Sequence, residues 1–186
     1  MPDDPGITTA ELRLVTRFTL GCADPLLAVF ETGHPDDGRP RAALDAARLF
    51  ADGAPRSRLQ RVTSLDAHRA ATAAAGEPAR CAARAAGDAA SSAYLHPPAQ
   101  VAGWTSRTAR ETQVAHVLRP AALAARIAEL ASGDDRAVGD ALVDATARSV
   151  APALARIVGR YPPVRAGRDR VAQLTAALDA RFRALP

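Results

Sequence analysis

The sequence predicts an all-α fold, a single bundle of about six to eight helices over residues 1–186, and three observations carry that expectation. The hydrophobic fraction is 48% while aromatics make up only 4%, so alanine supplies much of the apolar content. Alanine is the strongest helix former and loses no side-chain entropy on ordering. Apolar residues recur at three- and four-residue spacing along most of the chain, and no alternating strand pattern competes. Glycine and proline clusters divide the periodic stretches at intervals suited to helices.

The elements follow in order. Thr8-Thr9-Ala10-Glu11 has the capping-box pattern and opens a first helix after a flexible segment over residues 1–7. Leu12, Val15, Phe18, Cys22, Leu26 and Val29 keep helical spacing, and Pro25 inside the run should kink or split it. A loop spans Gly33 to Pro40, with Asp36 or Asp37 expected as N-cap of a second helix ending near Gly53. A third helix is expected from Arg56 to Ala75, with Leu59, Val62 and Leu65 facing inward and Gly76 as stop. Glu77-Pro78 opens the fourth, which ends by Leu95. Residues 97–107, with the single tryptophan Trp104, read as an ordered loop or insertion. A fifth helix from Thr108 to Ala131 should be interrupted by Pro120, and a sixth should run to Arg160 with a kink at Pro152. After the stiff Tyr161-Pro162-Pro163 turn, Val171, Leu174, Leu178, Phe182 and Leu185 stripe a last helix from Gly167 to Leu185.

Charge and composition narrow the function classes. All 24 basic residues are arginine, the formal net charge is +4, and acidic residues are interleaved with the arginines. A nucleic-acid reader concentrates its basic residues on one face and interleaves aromatics, and neither pattern is visible. The absence of lysine excludes Schiff-base and P-loop lysine chemistry. Cys22 and Cys81 match no metal or redox spacing and read as free buried thiols in a reducing cytoplasm. The N-terminus lacks a signal-peptide run, and no stretch is apolar enough to span a membrane.

Several motifs give the chain a family likeness: Pro35-Asp36-Asp37-Gly38-Arg39-Pro40-Arg41, the helix Ala46 to Gly53, Ala67-His68-Arg69-Ala70, Ala83 to Ala90, Tyr94-Leu95-His96-Pro97, Thr112 to Leu118 and Arg170 to Leu174. On these the chain resembles the helical putative immunity proteins of bacterial polymorphic-toxin systems. The resemblance implies a cytoplasmic bacterial protein that binds a cognate toxin and blocks it, without catalysis, cofactor or metal. Against that pattern, Val101 to Glu111 reads as an insertion.

The candidate site residues each admit two readings. Asp36, Asp37, Arg39 and Arg41 are either helix caps and braces or a partner-binding surface. Tyr94 and Trp104 are either loop anchors or binding hot spots. His34, His68, His96 and His116 fall in the family-like motifs. If the chain is instead a small enzyme acting on a small-molecule substrate, His68, His96 and His116 with Asp37 or Asp88 are the acid–base candidates. Asp88, in an alanine helix, is expected to pair with an arginine across a helix interface, and with Arg84 it is also a candidate floor for a ligand pocket. Two histidines facing an acidic group in a pocket would favour the enzyme, and an exposed patch the inhibitor.

Overall fold

The computed structural model describes residues 6–185, with the side chains at 107, 108 and 111 excepted. The expected flexible segment thus lies largely outside the described residues, although Ile7 packs on the core. Ten α-helices and no strand occur among the described residues: α1 (Thr9–Ala23), α2 (Leu27–Gly33), α3 (Arg39–Ala51), α4 (Arg58–Ala73), α5 (Glu77–Ser91), α6 (Pro98–Ala102), α7 (Arg107–Ala131), α8 (Arg136–Ser149), α9 (Pro152–Gly159) and α10 (Arg170–Arg183). They form one all-α bundle, as the composition requires.

The prolines act in three different ways. Asp24–Leu26 is a short 3-10 turn, so Pro25 splits the first helix into α1 and α2. Pro152 opens a new helix rather than kinking an old one, because a first-turn proline forfeits no hydrogen bond. Pro120 produces no break: α7 continues through it for 25 residues, held by packing on both sides. The capping box at Thr8 is present, Thr8 Oγ1 accepting from Glu11 N at 3.2 Å and Glu11 Oε2 from Thr8 N at 2.8 Å. The N-cap position of α3 is Gly38 rather than Asp36 or Asp37, although Asp37 Oδ1 accepts from the Arg39 backbone N at 3.2 Å as well as from the Arg39 side chain. Residues 97–107 are not all loop, since Pro98–Ala102 closes a helical turn and Arg107 already belongs to α7.

The core has two regions of different grain. Around α1, α7, α9 and α10 it is built of bulky side chains, among them Val15, Leu118, Leu154, Leu174, Leu178 and Phe182. Around α2 to α5 it is mostly alanine, with Phe30, Leu44 and Leu123 filling the larger gaps. Ten of the fifteen residues of α5 are buried, and none is larger than Asp88 or Cys81. Helices faced with methyl groups approach closely, and that closeness overturns the expected orientation of α4. Leu59, Val62 and Leu65 are 45%, 39% and 52% exposed, whereas Gln60, Thr63, Ser64, Ala67, Ala70 and Ala71 face inward. No leucine fits between α4 and α5. Polar groups on the inward face bond to backbone instead, Ser64 Oγ donating to Gly87 O of α5 at 2.8 Å and Gln60 Nε2 to Ala46 O of α3 at 3.1 Å.

A second buried carboxylate ties the other end of α7. Glu129 is fully buried and accepts from Arg170 Nε at 2.8 Å and from Arg126 at 3.0 Å. Arg126 also reaches Glu77 at the start of α5 (2.7 Å) and Asp134 in the turn before α8. Gly139 of α8 lies against Glu129, where a Cβ would stand 2.0 Å from Oε1. Two arginines pin that carboxylate, so it has no room to retreat. Gly139→Ala is expected to lower unfolding free energy by about 1–3 kcal/mol in urea titration, the usual cost of overpacking.

Candidate functional site

Asp88 sits near the C-terminal end of α5, in its last turn, with no exposed side-chain surface. Arg119 of α7 grips it bidentately, Nε to Oδ2 at 2.6 Å and a terminal nitrogen to Oδ1 at 2.6 Å. His116, one turn earlier on α7, brings Nδ1 to 2.7 Å from Oδ1, and His68 of α4 brings Nε2 to 3.7 Å. Burial pushes the Asp88 carboxyl up, but the Arg119 charge and hydrogen bonds, joined by His116, outweigh it and hold the group well below the usual carboxylate range. An ionised carboxylate only accepts, so His116 Nδ1 carries a proton toward it. Burial likewise depresses His68, with His116 and Arg119 adding to the effect against the pull of Asp88. His68 is therefore a neutral imidazole near pH 7.

Gly87 makes this geometry possible. A Cβ at residue 87 would come within 2.8 Å of the His68 ring. The ring fits only where α5 lacks a side chain, and the Ser64–Gly87 bond holds the two helices at that spacing.

Three of the four histidines converge on one recess. A cavity of about 240 Å³ is lined by Arg61, Ser64, His68, Tyr94, His96 and His116, among others. Tyr94 donates to Ser57 O, and its ring lies under the Arg56 and Arg61 guanidinium groups, 5.0 and 5.2 Å from the centroid. Trp104 is half-buried, its ring edge-on to His96 at 5.0 Å. His34 lies apart from them, stacked on Phe30 at 4.7 Å. The Asp36–Arg41 loop does not join this cluster. Asp37 is bound bidentately by Arg39, which holds its carboxyl below the ordinary range, and Arg41 is bound to Glu31 at 2.6 and 2.8 Å. Asp37 is thus no acid–base partner for the three clustered histidines.

The arrangement has limited chemical reach. Asp88 orients His116, but saturated by Arg119 it is no general base. Burial pushes the Cys81 thiol up to about 11 and the Cys22 thiol up to about 12, so neither is a ready nucleophile. No group of three metal-ligating side chains is assembled among the described residues. The alanine pattern foretold that Asp88 needs an arginine across the interface, yet nothing in spacing singled out Arg119 or Gln113, which accepts from His96 N at 3.1 Å. Gly87, the one residue smaller than alanine in the buried run of α5, was the available signal for the close approach of His68.

The model of one protein family, described as Imm-5 like putative immunity protein, matches residues 6–104, just over half of the chain. The chain belongs to that family. The matched span carries α1 to α6 and ends at Trp104, so His68, Asp88 and His96 lie within it while His116 and Arg119 lie beyond. No curated protein and no solved structure matches the chain. No helix among the described residues is long and apolar enough to cross a membrane.

Two measurements test this site. Asp88→Asn leaves Arg119 buried against a neutral amide and is expected to cost about 3–5 kcal/mol in denaturant unfolding, as for other broken buried pairs. For His68 the folded-state value lies below the ordinary one, so the unfolded chain takes up the proton first. Its contribution to stability is present above about pH 6.5 and is lost as pH falls below it. Urea titrations between pH 7 and 5 should show stability falling in the wild type and falling less in His68→Gln.

Proposed function

We propose that the chain is an immunity protein that binds a cognate bacterial toxin stoichiometrically in the cytoplasm and holds it inactive. The observation that supports this reading best is the outer face of α4, inside the segment that matches the family. Leu59, Val62 and Leu65 recur every third residue there and are exposed, although a bundle helix ordinarily turns such residues inward. Arg58 and Arg61 flank them on the same helix, while Arg69 is paired with Asp66 at 2.7 Å. An apolar centre with a basic rim fits a partner whose surface has an apolar centre and an acidic rim. The net charge of +4 also disfavours a strongly basic toxin. The Asp36–Arg41 loop, largely satisfied by its own ion pairs, and the half-buried Trp104 are weaker anchors than this stripe. Free Cys22 and Cys81 accord with a reducing compartment.

A second reading is favoured by one observation, the placing of His68, His96 and His116 around a single recess with Asp88 behind two of them. On that reading His116, oriented by Asp88, is the acid–base residue acting on a small molecule. The requirement that two histidines lie near an acid is met, but the acid is buried and neutralised.

The two readings separate in a growth-rescue assay against the products of the neighbouring genes. Leu65→Glu and Val62→Glu should lower protection and affinity at least about 100-fold, the scale of a hot-spot loss, with unfolding midpoints unchanged, while His116→Gln should protect as well as the wild type. Full protection by both glutamate variants, or its loss in His116→Gln with the fold intact, would overturn the inhibitor reading in this form.

A further inference from the structure

Several of the 24 arginines are tied to carboxylates, Arg160 to Glu11 among them. Arg39, Arg41, Arg48, Arg69, Arg119, Arg126, Arg170, Arg181 and Arg183 all bond carboxylates. Arg80 and Arg84 are not among these. They lie one turn apart on α5, a spacing at which like charges repel. Both line a recess of about 400 Å³ between α4, α5 and the start of α10, together with His68, Thr72, Cys81 and Val171. That volume is within the range of small-ligand sites.

Two acids also line the recess, but each is committed elsewhere. Glu77 is held by Arg126, at 2.7 Å to one oxygen and 3.3 Å to the other. Asp169 caps α10, accepting from Ala172 N at 2.8 Å. The histidine and the thiol in the wall are both neutral near pH 7, as their burial dictates. Arg84 and Asp169 also line an adjoining recess of about 320 Å³ with Arg119, Arg165, Thr112 and Thr175. The Arg84 guanidinium is held below the ordinary arginine range, first by burial and then by Arg119, against the opposing pull of Asp88 and Asp169.

We propose that this recess is an oxyanion-binding site for a small ligand carrying carboxylate or phosphate groups, with Arg80 and Arg84 as its anchors. Arginine presents a planar fork of N–H donors that matches both oxyanions. A bound anion would relieve the repulsion between Arg80, Arg84 and Arg119, and the N-terminal end of α5, which lacks a side-chain cap, adds positive potential nearby. Both arginines are exposed enough to meet ligand without the bundle opening. The inference stands apart from the toxin reading, because no toxin enters its test.

The test is titration of ¹⁵N-labelled protein at pH 7 with inorganic phosphate and, separately, with succinate, following arginine Nε–Hε resonances at ionic strength held constant with chloride. The Arg84 resonance is expected to shift saturably with one or both anions, and Arg84→Gln and Arg80→Gln should each weaken binding at least tenfold without changing the unfolding midpoint. Tighter binding of phosphate assigns the site to a phosphorylated ligand, and tighter binding of succinate to a carboxylate. Non-saturating shifts shared by surface arginines generally, or saturation that survives Arg84→Gln, would overturn the proposal.

Discussion

The bundle depends on a buried ion pair placed where the packing is smoothest. Helix α5 offers its neighbours little but methyl groups, and a methyl-faced interface fits well at many registers. Asp88 and Arg119 remove that freedom. A fully buried carboxylate is tolerated only where its desolvation is offset by good geometry, and here α5 and α7 meet so that both oxygens are bonded. Glu129 does the same for α7, α8 and α10, with Arg126 and Arg170 as its partners and Gly139 making room.

That constraint sets the surface features on which function turns. Because α4 must approach α5 closely, its large apolar residues are turned outward, and a stripe that would otherwise be core becomes available to a partner. Because Arg119 and His116 both serve Asp88, His116 has an Nδ1 proton directed at the carboxylate and a defined ring orientation. Because Arg84 follows the same helix one turn away, it is left with no carboxylate to itself. The exposed stripe, the histidine-lined recess and the basic recess all follow from the same packing of alanine against alanine around charge.

Much of the fold was legible in the sequence. The capping box at Thr8, the stripe from Leu174 to Phe182 and the need of Asp88 for an arginine all rest on local chemistry, and the structure contains each, whereas α4 ends at Ala73 and Gly76 serves as the N-cap of α5. The failures share a cause. Reading Leu59, Val62 and Leu65 as inward assumed that a helix buries its largest apolar residues, whereas α4 turns Gln60, Thr63, Ser64 and three alanines inward and fits the His68 ring only where Gly87 lacks a side chain. Asp37 looked like an N-cap by position, but a neighbouring arginine competes for the same oxygens. Pro120 looked like a break, yet packing from both core regions carries α7 across it. The convergence of His68, His96 and His116 lay beyond local reading, since it depends on how three helices and a loop are placed in space.

The account's central claim is that Asp88 and Arg119 act as one unit in joining α5 to α7. A double-mutant cycle with Asp88→Ala and Arg119→Ala, followed by urea unfolding at pH 7, measures this most directly. The account predicts a coupling of about 2–3 kcal/mol, with the double variant far less destabilised than the sum of the singles. Effects additive to within about 0.5 kcal/mol would contradict it.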